Sequence, residues 1–164
     1  MGDHAQLVEI ARQWLRKTKR CSVVVSEIAS MGIESPDALG WYGLATHLVE
    51  CKTSRSDFLA DKKKIFRNYL ELGLGDYRWF LTLPGVIHNE TELPLGFGWI
   101  EWDGKCRVIA KATYQPVKKV QYETSILLSL LKRIGQNPIK GASITCYKHQ
   151  TKNRTVLELE EQTK

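Results

Sequence analysis

Apolar residues return every three or four positions near the start of the chain, at Leu7, Ile10, Ala11, Trp14 and Leu15. That period is one face of a helix and predicts a helix over 3–17. Asp3 stands at its positive end, with Arg16, Lys17 and Lys19 near its negative end. The pattern then changes. Residues 21–29, CSVVVSEIA, are rich in β-branched side chains and predict a strand. A turn through Gly32 leads to a second strand at 38–42, and after Gly43 a third runs from 46 to 53. The helical period returns over 54–72 on Phe58, Ile65, Tyr69 and Leu72, widened by Leu59, Phe66 and Leu70. Ser54 or Ser56 caps that helix, Asp57 suits its first turn, and Gly73 and Gly75 stop it.

Residues 76–84 predict a buried strand, and 97–102 with 105–112 a hairpin around Asp103-Gly104. A helix follows over 122–134, and the tail from 142 to 161 reads as another hairpin. The order is helix, three strands, helix, strand, hairpin, helix, which is an α/β domain. No internal repeat or low-complexity segment interrupts it.

Composition narrows the class. The 164 residues are 43% hydrophobic, enough for one cored domain with a small appendage. No run of about 18 apolar residues exists, so no membrane partner is expected. The first twenty residues lack the order of an export signal, and Gln6 stands where myristoylation needs a hydroxyl. Cys21, Cys51, Cys106 and Cys146 are scattered with no CxxC, so zinc is not expected. Four free, buried thiols in a cytoplasmic protein are the expectation.

Charge adds a direction. The net is +6, but residues 105–154 alone carry +10, while 1–104 and 155–164 are each −2. Such a segment suits a polyanion, because lysine and arginine contacts to phosphate supply most non-specific nucleic-acid affinity. Lys118 and Lys119 in that segment, and Lys62, Lys63, Lys64 and Arg67 on the 54–72 helix, are the candidate contacts. A solvated basic surface accounts for the same residues. Glu9 reads as a surface acid and His47 as a half-exposed residue at a strand start.

The chemistry concentrates between residues 34 and 56. Pro36-Asp37 precedes the second strand, and Glu50-Cys51-Lys52 ends the third. Side chains at i and i+2 share a face of a strand, so Glu50 and Lys52 project together and Cys51 away. If the segment around Asp37 pairs with the third strand, two carboxylates and a lysine meet. Two hard carboxylates suit a magnesium ion, and a lysine beside them suits a phosphodiester under attack. A salt-bridged turn followed by a strand with solvated charges uses the same residues.

The element order, with the PDALGW run at 36–41, the VECKTSRSDFLADKK run at 49–63, the YRWFLTLPGVI run at 77–87 and the LPLGFGWIEWDG run at 93–104, resembles the PD-(D/E)XK nuclease superfamily. It resembles in particular the small MmcB-like and VRR-NUC-like DNA-repair nucleases, over about residues 5–115. The resemblance implies a restriction-endonuclease-like core, a central mixed sheet flanked by helices, over 1–115. Residues 116–164 would form a basic helix and hairpin packed upon it. It implies Asp37, Glu50 and Glu27 as acids holding Mg²⁺, or Mn²⁺ in its place, with the Cys51 carbonyl as a further ligand. Lys52 would be the catalytic lysine, orienting or helping to deprotonate the water, and the product would carry a 5′-phosphate. Asp57 and Asp61 match the family's helix pattern without a chemical reason; Asp57 is assigned to the helix N-terminus. DNA is the expected substrate, in repair or phage DNA metabolism. Two other classes stand beside it: a nucleic-acid-binding module that does not cut, and an assembly subunit, including a homodimer, whose tail hairpin pairs with a partner's edge.

Overall fold

The computed structural model describes residues 3–28, 35–134 and 143–146. Helix α1 (Asp3–Lys17) leads into strands β1 (Val23–Ser26), β2 (Ala38–Tyr42) and β3 (Ala45–Lys52). Two short helices follow, α2 (Arg55–Asp61) and α3 (Ile65–Asn68), then β4 (Tyr77–Thr82), β5 (Gly98–Trp102), β6 (Cys106–Ala110), α4 (Val120–Ile134) and β7 (Ser143–Cys146). Among the described residues, the sheet has seven strands in the order β6-β5-β4-β3-β2-β1-β7. β3 and β5 both run parallel to β4; the other pairs are antiparallel. This is an α/β fold, and its strand order is consistent with a restriction-endonuclease-like core. The tail is part of the same sheet, since β7 pairs with β1. The second strand expected in the tail lies outside the described residues.

Position within the sheet explains burial. β3 lies between β2 and β4, and every residue from Thr46 to Lys52 is buried. Its alternation feeds two cores. Val49 and Cys51 face α1, packing with Leu7, Trp14, Leu15 and Trp79. Leu48 faces the other way, against Leu39, Leu74, Ile126 and Leu130, so α4 covers that side. Farther along, Phe58 of α2 packs with Phe80, Phe97 and Trp99.

Three expectations need correction. The helix over 54–72 is broken: α2 ends at Asp61, Lys64 takes an extended conformation (φ −64, ψ 139), and α3 lasts one turn before a 3-10 turn at Leu70–Leu72. Asp61 and Arg67 would lie roughly 120° apart around a continuous helix. The break lets both face the sheet, where they bond at 2.7 Å, while Leu59, Ile65 and Tyr69 of the expected apolar stripe are exposed. His47 is not half-exposed but 7% exposed, because the start of β3 is covered by β2 and β4. Cys21 and Cys51 are buried free thiols as expected, but Cys106 is only half-buried, since β6 is the sheet's outer strand.

Candidate active site

The candidate site is built at the carboxyl end of β3. The β2–β3 register pairs Ala38 with Val49, so the next step outward sets Asp37 across from Glu50. Asp37 is fixed there by its own strand partner: its Oδ2 accepts the Cys51 backbone N–H at 2.7 Å. Its other oxygen, Oδ1, lies 3.5 Å from His4 Nε2 on the first turn of α1. The Asp37 carboxylate is 21% exposed, so this is the open side of the site.

Glu50 and Lys52 share one face of β3, as the two-residue period requires. Lys52 Nζ lies 3.4 Å from Glu50 Oε2, 3.4 Å from Asp61 Oδ1 and 3.9 Å from Asp57 Oδ2. Arg67 completes the group, with its Nε donating to Asp61 Oδ2 at 2.7 Å and its NH2 3.5 Å from Glu50 Oε2. The Arg67 guanidinium also lies against the Phe66, Phe80 and Phe97 rings, with centroids 4.7, 5.7 and 5.0 Å away. Two acids and two bases thus form a buried quartet: Glu50, Lys52, Asp61 and Arg67. Burial of any one charge alone would be costly, and the pairing is what makes it tolerable.

The quartet sets the ionisation of its members. Burial lowers the Lys52 pKa, but the Glu50, Asp61, Asp37 and Asp57 carboxylates outweigh it and raise it above the ordinary value. Lys52 is therefore held as an ammonium. Burial pushes Asp61 up, but Arg67, Lys52 and Lys64 bring it down to about 2. Burial drives the Cys51 thiol well up, with Asp37 and Glu50 adding to it, so it remains a neutral core group.

Helix α2 is anchored beside this cluster. Ser54 Oγ accepts the Asp57 N–H, which places Asp57 in the first turn as the sequence suggested. Arg55 forms a two-bond fork with Glu92, at 2.6 and 2.7 Å, tying α2 to the loop before β5.

The remaining candidates separate. Glu27 is exposed, just past β1, with its backbone in the left-handed region (φ 53) and its N–H on the Asp37 carbonyl. Among the described residues, no three of His, Cys, Asp and Glu gather in a group able to hold a metal, so Glu27 does not join Asp37 and Glu50 in one. Arg67 is not on a solvated face; it is 3% exposed and belongs to the quartet. Lys118 is likewise engaged, by Asp76 at 2.7 Å and Glu123 at 2.9 Å. Lys63 is exposed, Lys64 pairs with Asp61, Lys62 lies near the Phe58 ring, and Lys119 is half-buried.

Sequence reasoning missed the chemical place of Asp61 and Arg67. Their six-residue spacing does not fall on one face of the helix that the hydrophobic period predicts, so only the break at Lys64 reveals the pair. His4 left no signal, since it reaches Asp37 only through the packing of α1.

No family model matches the chain, and no curated protein matches it. Among solved structures, the chain is similar to the SPO1766 protein of unknown function from Silicibacter pomeroyi. The likeness has a TM-score of 0.61 at 20% identity and covers 82% of this chain and 90% of that one. It supports the fold and carries no activity. Among the described residues, no helix is long and apolar enough to cross a membrane.

Proposed function

We propose that this chain is a metal-dependent nuclease of the PD-(D/E)XK kind that hydrolyses phosphodiester bonds, with DNA the expected substrate. One observation carries the reading: a buried ammonium, Lys52, stands 3.4 Å from Glu50, beside a partly open carboxylate, Asp37, fixed one strand away. Burying a lysine and two carboxylates beside a central strand is an expensive way to hold a sheet together, and phosphoryl transfer is a chemistry that needs the set.

Asp37 and Glu50 are the residues that would hold a divalent ion. Two carboxylates suffice for magnesium, which keeps several waters of its own. When bound, the ion supplies a water of lowered pKa and neutralises phosphate charge. Lys52 does the rest. Held as an ammonium by its carboxylates, it is no base; it donates to a phosphate oxygen and opposes the charge that grows as the bond to phosphorus forms. Asp61 and Arg67 are positioning residues, fixing the Lys52 and Glu50 side chains.

The test is a panel of labelled single-stranded, duplex and branched DNA and RNA, incubated with Mg²⁺, Mn²⁺ or EDTA. Cleavage in metal that EDTA abolishes is expected; no cleavage of any substrate in either metal would end the reading. A second reading has its own support. The quartet is balanced in charge and Lys52 is only 6% exposed in its side chain, as suits a buried network in a nucleic-acid-binding domain that does not cut. That domain would bind the same panel equally with and without EDTA.

A further inference from the structure

A second cluster lies on the opposite face of the sheet, beside α1. There Lys19, Arg20, Tyr42, His47, Tyr77 and neighbouring residues line an open hollow of about 610 Å³. His47 and Lys52 are five residues apart on β3, about 17 Å along a strand, and odd separations point to opposite faces. The hollow is therefore separate from the candidate active site.

Its walls combine two chemistries. Lys19 Nζ lies 4.4 Å from the centre of the Trp79 ring and 5.1 Å from that of Trp14. Lys111 adds positive potential at Lys19. Neither Lys19 nor Arg20 pairs with a carboxylate among the described residues. The other wall is aromatic: His47 stacks on Tyr77 at 4.8 Å and 15°, and Tyr42 is 56% exposed.

One further observation points to an occupant. His47 is buried to 7% exposure; its Nδ1 accepts the Trp79 indole N–H at 3.4 Å. Burial, with Lys19 nearby, holds its pKa down at about 4, so the ring is neutral and its proton lies on Nε2. That Nε2–H has no acceptor among the described residues. Arg20 sits in the left-handed region at φ 57, just past the end of α1, where glycine would be at ease. This is the αL residue that closes α1, with the Cys21 N–H on the Leu15 carbonyl at 3.0 Å.

We propose that this hollow binds one nucleotide unit, its base against the exposed Tyr42 ring and its phosphate between Lys19 and Arg20. Aromatic faces take any base by stacking, and unpaired cations take the phosphate. The proposal rests on the nucleic-acid reading above for its ligand, but not on the cleavage step.

The experiment uses the full chain carrying Lys52→Ala, which keeps oligonucleotide ligands intact. Tryptophan fluorescence and calorimetry follow titration with inorganic phosphate, adenosine, adenosine monophosphate and a ten-nucleotide single strand. The monophosphate is expected to bind at least tenfold tighter than phosphate or adenosine alone. An equal affinity of the ten-mer marks a site for free nucleotides, and a tighter one a site for a strand; both agree with the proposal. Arg20→Gly relieves the backbone, so its Tm should equal or exceed that of the parent while nucleotide affinity falls about tenfold; Tyr42→Ala should lower it similarly. Phosphate binding as well as the monophosphate, no binding at all, or unchanged affinity in both variants would overturn it. Cleavage by the wild-type chain is scored separately. Binding without cleavage counts against the nuclease alone, and cleavage without binding in the hollow against this site alone.

Discussion

Two buried polar clusters sit at opposite ends of β3, and they are built differently. At the amino end, Lys118 Nζ lies 2.9 Å from Thr46 Oγ1, 2.7 Å from Asp76 and 2.9 Å from Glu123. Glu123 also takes the Thr46 hydroxyl and the Gly75 N–H, both at 2.9 Å, and Asp76 takes the Thr46 N–H at 2.7 Å. Each contact is a good hydrogen bond, and together they clasp β3, β4 and α4. Even the backbone is committed: Gly75 stands at φ 81, and a Cβ there would meet Leu48 at 2.9 Å. At the carboxyl end, Lys52 keeps its carboxylates at 3.4, 3.4 and 3.9 Å. Those are ion-pair distances, too long for strong hydrogen bonds. A lysine that clamps a fold looks like Lys118. One that lies among carboxylates at arm's length would keep donor capacity for a phosphate, as the proposed function requires.

Substitutions that separate the two ends sharpen this contrast. The largest effect is expected on cleavage: Lys52→Ala or Asp37→Ala should slow it by about 10²–10³, roughly 2.7–4 kcal/mol of lost transition-state stabilisation, measured under single turnover. Lys118→Ala should leave cleavage per folded molecule intact and lower stability in urea by roughly 3 kcal/mol, because it strands Asp76 and Glu123 beside each other. The acid limb comes next. Asp61 has a folded pKa of about 2 against an ordinary 3.8, so its contribution is full above about pH 4 and fades as pH falls toward 2. Asp61→Asn should flatten that part of the stability-against-pH curve and leave the neutral part parallel to the parent, while the alkaline limb shifts because Asp61 no longer holds up the Lys52 pKa. The smallest effect belongs to Lys63, exposed on the turn after α2. Lys63→Ala should weaken nucleic-acid binding evenly across sequences and reduce the salt slope of affinity by about 1.

What the sequence made legible follows from local rules. The strands around Asp37 and Lys52 were readable because β-branched runs and glycine turns act over a few residues, and the i, i+2 rule sets Glu50 and Lys52 on one face. The hairpin at Asp103-Gly104 and α4 were readable for the same reason. The break between α2 and α3 was not, since hydrophobic period favoured one helix, and only the long-range pull of Lys52 and Glu50 on Asp61 and Arg67 outweighs it. Lys118 was misread because its segment folds back, with the Gln115 N–H on Asp76 O and the Lys119 N–H on Gly73 O. Charge counted along the chain does not tell a clasped lysine from a free one.

The most direct measurement compares Lys52→Ala and Lys118→Ala on one labelled DNA with Mg²⁺, each corrected for its folded fraction by circular dichroism. The account predicts nearly no cleavage per folded molecule for Lys52→Ala beside full cleavage per folded molecule for Lys118→Ala. Equal cleavage by Lys52→Ala and the parent chain would contradict it.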